Sequence, residues 1–367
     1  MSAAVQKVQK RTIRSSPRSN AYGEVTTEQL YGMGDAAVMN ILCMEIDTSD
    51  GTTFYFTQTA LFSSSASGTI ALVAGHEEDT GFEDGSRSEA RFRFPCAMAL
   101  YQEEKCMYVC DCTNNALRRV GLQTGETTTV AADNITFVRP NGIAIDGKGV
   151  LYISDQGHHC VRRISFDGKH GSDSRVWHIT TFVGGTQDGI FTGCAGYKDG
   201  LGEQALFSFP SRLAIDMENN LILADFGNEC IRKIAITDPV RTVSTLGGVP
   251  DVSVEDGVWY RDDLSHLSRF NGPSDVAVDR SNNILVADCH NHVVRIIRTN
   301  GTVNTIAGST DQILDGDGIA EEQEIADGKG ASVRLSKPDC VRFDRDGSLL
   351  VLDTENHLRV RRIAYIH

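Results

Sequence analysis

No stretch of this sequence approaches the roughly 18 to 20 consecutive apolar residues that a membrane-crossing helix requires, so no membrane span is expected. Aromatic residues are few, at 7% with only two Trp, and Pro is scarce at eight residues, whereas Gly reaches 35. Gly excess without Pro excess argues against collagen-like or Pro-rich low-complexity chains and fits many tight turns between short strands. Positive charge is in deficit too, with 35 Lys and Arg against 49 Asp and Glu and a net charge of −14. An acidic body repels a phosphate backbone unless its cations are segregated on one face. An apolar N-terminal segment of the secretory kind is also missing, so the ten Cys are expected to be reduced and unlinked in a cytoplasmic protein. Their scattered positions, Cys43, Cys96, Cys106, Cys110, Cys112, Cys160, Cys194, Cys230, Cys289 and Cys340, lack the compact spacing of a disulfide framework.

Residues 1–22 differ from the rest, carrying Lys7, Lys10, Arg11, Arg14 and Arg18 and no acidic residue. They read as a basic, disordered tail, with a mitochondrial targeting segment as the alternative. Without those five cations the folded body, residues 23–367, carries a charge of −19.

What the chain has in abundance is repetition. Five copies of one pattern appear, each with a Pro, a short alternating apolar strand, a turn, a second strand ending in Asp, a short loop and a third strand containing Arg. They begin FPCAMAL, RPNGIAI, FPSRLAI, GPSDVAV and KPDCVRF. The strand-ending residues are Asp111, Asp155, Asp225, Asp288 and Asp353, spaced by 44, 70, 63 and 65 residues. A fourth apolar segment, such as TVNTIAG near Thr302, separates successive copies. Four short antiparallel strands with period-two patterning make a propeller blade.

The strings GFEDGSRSEARFRFP, GYKDGLGEQALFSFP and IADGKGASVRLSKP, each followed by a strand, an Asp and an Arg, resemble the NHL repeat family over roughly residues 75–367. A degenerate sixth copy lies in ILCMEIDTSDGTTFYFTQTALFSSSASGTIALVAG, with Thr57 where the Asp belongs. The resemblance thus implies an all-β, six-bladed β-propeller of NHL-type repeats. The last copy ends without a fourth strand, and residues 23–31 match the inter-copy segments, so the ring is expected to be closed by an N-terminal strand. Such closure removes exposed strand edges.

Arg118, Arg162, Arg232 and Arg295 each follow a blade Asp by seven residues, while Val360 occupies that place in the last copy. Because the pair recurs blade after blade, it is read as architecture rather than catalysis. His159, His292 and His357 follow a blade Asp by four residues, but equivalent loops of separate blades are too far apart to share a zinc ion, which needs ligands within about 2.0 to 2.3 Å. No metal or cofactor is therefore expected. Cys96, Asn141, Ser211, Ser274 and Asp339, each just after a blade Pro, are expected at the mouth of the central channel.

The Asp-Gly turns at Asp84, Asp199, Asp256, Asp315 and Asp327 and the long insertions are expected on the face that carries the blade Asp loops. Trp259, Tyr260 and Phe191 would be apolar anchors there. The expected function is a monomeric, non-enzymatic scaffold that binds a protein partner through this face. The alternatives are an RNA-binding NHL module, disfavoured by the acidic body, and a metal-dependent lyase or hydrolase using the channel.

Overall fold

The computed structural model describes residues 24–28, 41–131, 136–167, 176–184, 195–250, 260–309, 326–330, 332–354 and 359–364. Six antiparallel sheets follow one another in the order blade one to blade six. Their innermost strands are Cys43–Asp47, Ala97–Tyr101, Pro140–Ile145, Pro210–Ile215, Pro273–Val278 and Pro338–Phe343. Neighbouring innermost strands touch around the whole circle, including the first with the last. The basic tail, residues 1–22, lies outside the described residues.

The sequence pattern explains the stacking. The second strands Cys106–Asp111, Asn220–Asp225 and Leu349–Asp353 are buried at every position, as a strand packed on both faces must be. The core is accordingly divided into six layers, one between each pair of neighbouring blades. Leu117, Ile143 and Ile153 pack between blades two and three, for example, and Met44, Tyr55, Leu350 and Leu352 between blades one and six. Each fully buried Leu or Ile contributes about 1.5–3 kcal/mol relative to exposure.

Closure runs through the N-terminal strand as expected. Glu24–Glu28 pairs antiparallel with Arg359–Ala364, with Val25 opposite Ile363 and Glu28 opposite Val360. It also pairs with Gly328–Lys329 on its other side, so blade six is completed from both ends of the chain.

In blades three to six the ladder slips immediately after the Pro, between Pro140 and Gly142, Pro210 and Leu213, Pro273 and Asp275, and Pro338 and Cys340. This bulge takes the next residue out of register and re-aims its side chain. It is the local device that furnishes the channel mouth.

Candidate functional site: the channel mouth and its rim

Each blade Asp is fully buried and organises the loop that enters its own blade. One carboxylate oxygen accepts from the backbone N–H two residues before the Pro, at Arg93, Val138, Ser208, Asn271 and Ser336, over 2.6 to 2.8 Å. The other accepts from the side chain three residues later, Asn114, Asn228 or Asn291 at 2.9 Å, while His158 contacts Asp155 at 2.7 Å. That oxygen also meets the third-strand Arg: Asp111–Arg118 at 2.9 Å, Asp155–Arg162 at 2.9 Å, Asp225–Arg232 at 2.6 Å and Asp288–Arg295 at 3.1 Å.

In blade six the partner of Asp353 is Arg361, not the residue seven places on. The hairpin loop is one residue longer, and Arg361 stands opposite Val351 just as Arg162 stands opposite Ile153. The loop absorbs the insertion and the spatial register survives.

Arg118, Arg232, Arg295 and Arg361 each reach a second carboxylate, those of Asp84, Asp199, Asp262 and Asp327, at 2.7 to 2.8 Å. In blade five this second carboxylate is Asp262; Asp256 and Asp315 lie outside the described residues. Three of the guanidinium groups also lie between two rings at 4.4 to 5.0 Å, Phe82 and Phe92, Tyr197 and Phe207, Tyr260 and Phe270.

Tyr260 is therefore part of its own blade rather than a free anchor. Its ring packs on Arg295, its hydroxyl bonds Asp262 at 2.8 Å and Thr305 at 2.6 Å, and burial pushes the phenol up to about 12. The aromatic two residues before the loop Asp recurs as Phe82 and Tyr197, a signal that identifies Tyr260 as a repeat position. Trp259, Phe191, Cys194 and His357 lie outside the described residues.

The residues that follow the five blade prolines converge on the axis. Ser211 donates to the Ser274 carbonyl at 2.8 Å and to Asn141 Oδ1 at 3.3 Å, and Ser274 donates to the Asp339 carbonyl at 3.1 Å. The hub is Arg212, one residue past the expected position. Its guanidinium crosses from blade four to the Cys96 carbonyl at 2.8 and 3.1 Å, the Leu42 carbonyl at 3.2 Å, and both the carbonyl and the carboxylate of Asp339, the latter at 2.8 Å. Burial acts to lower the Arg212 pKa, but Asp339 and other anionic neighbours outweigh it and the charge is held. Deeper in the channel Arg342 bridges Asp275 at 2.6 Å and Glu45 at 3.2 Å, joining blades five, six and one; burial raises the Glu45 carboxyl despite Arg342. Among the described residues, no group of three or more His, Cys, Asp or Glu has an arrangement suited to a metal ion.

Above this throat runs a rim. The residue before each blade Pro has left-handed backbone: Phe94 at φ 51°, Arg139 at 53°, Phe209 at 47°, Gly272 at 58° and Lys337 at 56°. Phe94 and Phe209 are 41% and 47% exposed. Because Arg212 joins the segment after Phe209 to that after Phe94, both rings flank the throat.

The rim is latched to the preceding blade. Arg139, Phe209 and Lys337 donate their backbone N–H to Asn115 Oδ1 at 2.8 Å, His159 Nδ1 at 3.0 Å and His292 Nδ1 at 3.3 Å. These acceptors are themselves the left-handed residues that end the loop after the blade Asp, at φ 54°, 52° and 56°. The histidines four places past the Asp are thus backbone latches.

Burial lowers the His159 pKa, helped by His158, and an accepting Nδ1 requires the neutral ring. A base depressed in the folded state stabilises above its unfolded pKa, about 6.5, and that contribution is lost as pH falls through the folded value. Since Asn115 performs the same task in blade two, His159→Asn is expected to keep the latch and flatten the acid limb of stability below about pH 6.5. Melting temperatures across pH 5 to 7.5 check this, and an unchanged slope would count against the latch.

The NHL repeat family profile matches residues 137–164 and 270–297, the cores of blades three and five. "NHL repeat-containing protein 2" of Bos taurus is 29% identical over 167 residues, covering 44% of this chain and 21% of that protein. Among solved structures, an auxiliary nutrient binding protein from Bacteroides ovatus superposes with a TM-score of 0.62 at 15% identity, over 95% of this chain and 77% of that one. A gluconolactonase from Xanthomonas campestris superposes at 0.58 with 13% identity, over 99% and 98%. Likeness at these identities shows the fold alone, and the chain spans only about a fifth of the bovine relative it matches. Six antiparallel blades around an axis, five of them knotted by a buried Asp and a third-strand Arg, define a β-propeller. The chain is thus a β-propeller that carries NHL repeats in two of its blades.

Proposed function

We propose that this propeller is a non-enzymatic interaction scaffold whose partner, a protein, docks on the rim of the channel mouth. One observation carries the reading: Phe94 and Phe209 occupy equivalent positions of blades two and four, hold large apolar rings in solvent, and do so on left-handed backbone that costs about 1–3 kcal/mol for such residues. Local strain combined with exposed aromatics beside a rigid throat is the signature of a contact surface, since solitary core residues need neither. The throat beneath is filled by Arg212 and its acceptors, so apolar area for a partner is offered by the rim and not by the throat.

Replacing both Phe94 and Phe209 by Ala is expected to leave the melting temperature within about 2 °C of the parent, because neither ring is buried. Truncating hot spots costs about 2 kcal/mol or more of binding, about a 30-fold loss of affinity. Partners cross-linked to the parent should therefore be depleted from the double variant by about that factor. An intact partner set on a stable double variant would refute the rim as the docking surface.

A further inference from the structure

We propose that the partner segment docking on the rim is an acidic peptide in which carboxylates alternate with apolar side chains, seated along an arc of cations and rings over blades two to four. The inference rests on the rim as a docking surface and adds the chemistry of what docks there. Two cations carry it. The arginines of the five blade knots are met by buried carboxylates, and Arg212 in the throat is met by Asp339. Arg93 and Arg139 are different: both are exposed and, among the described residues, neither enters an ion pair. In an acidic chain, two exposed guanidinium groups left without a carboxylate stand out as charge directed at something else.

One short loop fixes both of them. Thr113 N donates to the Arg93 carbonyl at 3.3 Å, and Asn115 Oδ1 accepts from Arg139 N at 2.8 Å, so the two residues flank the loop 112–115 from blades two and three. Phe94 follows Arg93 directly and is tied to blade one, its N–H donating to the Gln58 carbonyl at 3.2 Å. Phe209 continues the series in blade four, its ring in edge contact with His159 at 4.7 Å between centroids. The arc therefore reads Arg93, Phe94, Arg139, Phe209 over three successive blades, on backbone that hydrogen bonds hold in place.

A guanidinium presents two parallel N–H donors to a carboxylate, and an exposed ring gains by covering an apolar side chain. A peptide that alternates the two kinds of residue meets both at once. A nucleic acid also offers negative charge and stacking faces, but its affinity grows with the number of phosphates neutralised. Two such arginines neutralise few phosphates, and the acidic body repels an extended polyanion running off the rim. A segment with two or three carboxylates brings no such excess.

The test selects short random peptides, displayed on phage, against the full chain and measures the enriched ones by fluorescence anisotropy. They are expected to be net acidic, with aromatic or aliphatic residues between the carboxylates. Arg93→Ser combined with Arg139→Ser removes two exposed side chains, so the melting temperature should hold while these peptides weaken about 10-fold and lose much of their salt dependence. Converting the peptide carboxylates to amides should give the same loss on the parent and little on the double Ser variant, as a direct contact requires. Peptides that need Phe94 and Phe209 but carry no acidic excess and ignore both arginines would overturn the acidic assignment and leave the rim as a docking surface. Peptides indifferent to both pairs of residues, or no enrichment over a blank surface, would overturn the rim and this inference with it. Oligouridylate binding tighter than any enriched peptide, and lost with the two arginines, would put a nucleic acid in the peptide's place.

Discussion

Removing residues 1–32 is expected to lower the melting temperature by about 10 °C or more, while removing residues 1–20 leaves it unchanged. The difference is the strand Glu24–Glu28. Its five residue pairs with Arg359–Ala364 tie the two ends of the chain into one sheet, and Gly328–Lys329 pairs on its far side. Counting about 1 kcal/mol for each net hydrogen bond, the lost ladder costs about 5 kcal/mol. A large domain loses roughly 2 °C per kcal/mol, which gives the stated shift. The shorter chain also bares the edge of Arg359–Ala364, so it should self-associate on heating where the parent does not. Scanning calorimetry of the two truncations decides the matter, and coincident melting curves would mean that the ring does not depend on its N-terminal strand.

Arg212→Met should cost about 3 kcal/mol, close to 6 °C, despite the good size match of the new side chain. The guanidinium satisfies carbonyls of Leu42, Cys96 and Asp339 and the Asp339 carboxylate, all of which face the throat. Water can hydrate Asp339, which retains 30% side-chain exposure, and this keeps the cost at the lower end for a broken buried pair. Arg212→Lys keeps the charge but has one point donor in place of a planar fork, so it should fall between parent and Met. The hub joins blade four to blades one, two and six, whereas repeat arrays are ordinarily coupled only between neighbours. Its loss should therefore broaden the thermal transition as well as lower it. A sharp transition within 1–2 °C of the parent would show that the throat contributes little.

Much of this was legible from the residues. Period-two strands and the recurring Asp and Arg announced the blades, and the residues after the blade prolines, expected at the channel mouth, are linked to one another through Ser211, Arg212 and Ser274. Arg212 was hidden because it is one residue past the repeated position and has no counterpart in other blades; its importance lies in a crossing of the ring that no linear spacing records. Arg361 was missed for a different reason, a one-residue loop insertion that shifts the number but not the register. Val360, which takes the expected place, faces the core layer between blades six and one. Tyr260 was misjudged because its equivalence to Phe82 and Tyr197 is obscured where the Asp-Gly turn is replaced by Arg261-Asp262-Asp263. The left-handed residues before each Pro carry almost no sequence signal, since only Gly272 is a Gly, and there a Cβ would come within 2.6 Å of the His290 ring.

That last feature bears on how such a molecule can diversify. One backbone shape is repeated at five places around a circle, and it is occupied by Phe, Arg, Phe, Gly and Lys. The conformation is held by the loops around it, so at the four places other than Gly272 side-chain identity is released from the demands of folding. They act as interchangeable sockets. A descendant could exchange an aromatic for a cation, or a cation for a carboxylate, and alter what it recognises while every strand, knot and layer beneath stays as it is.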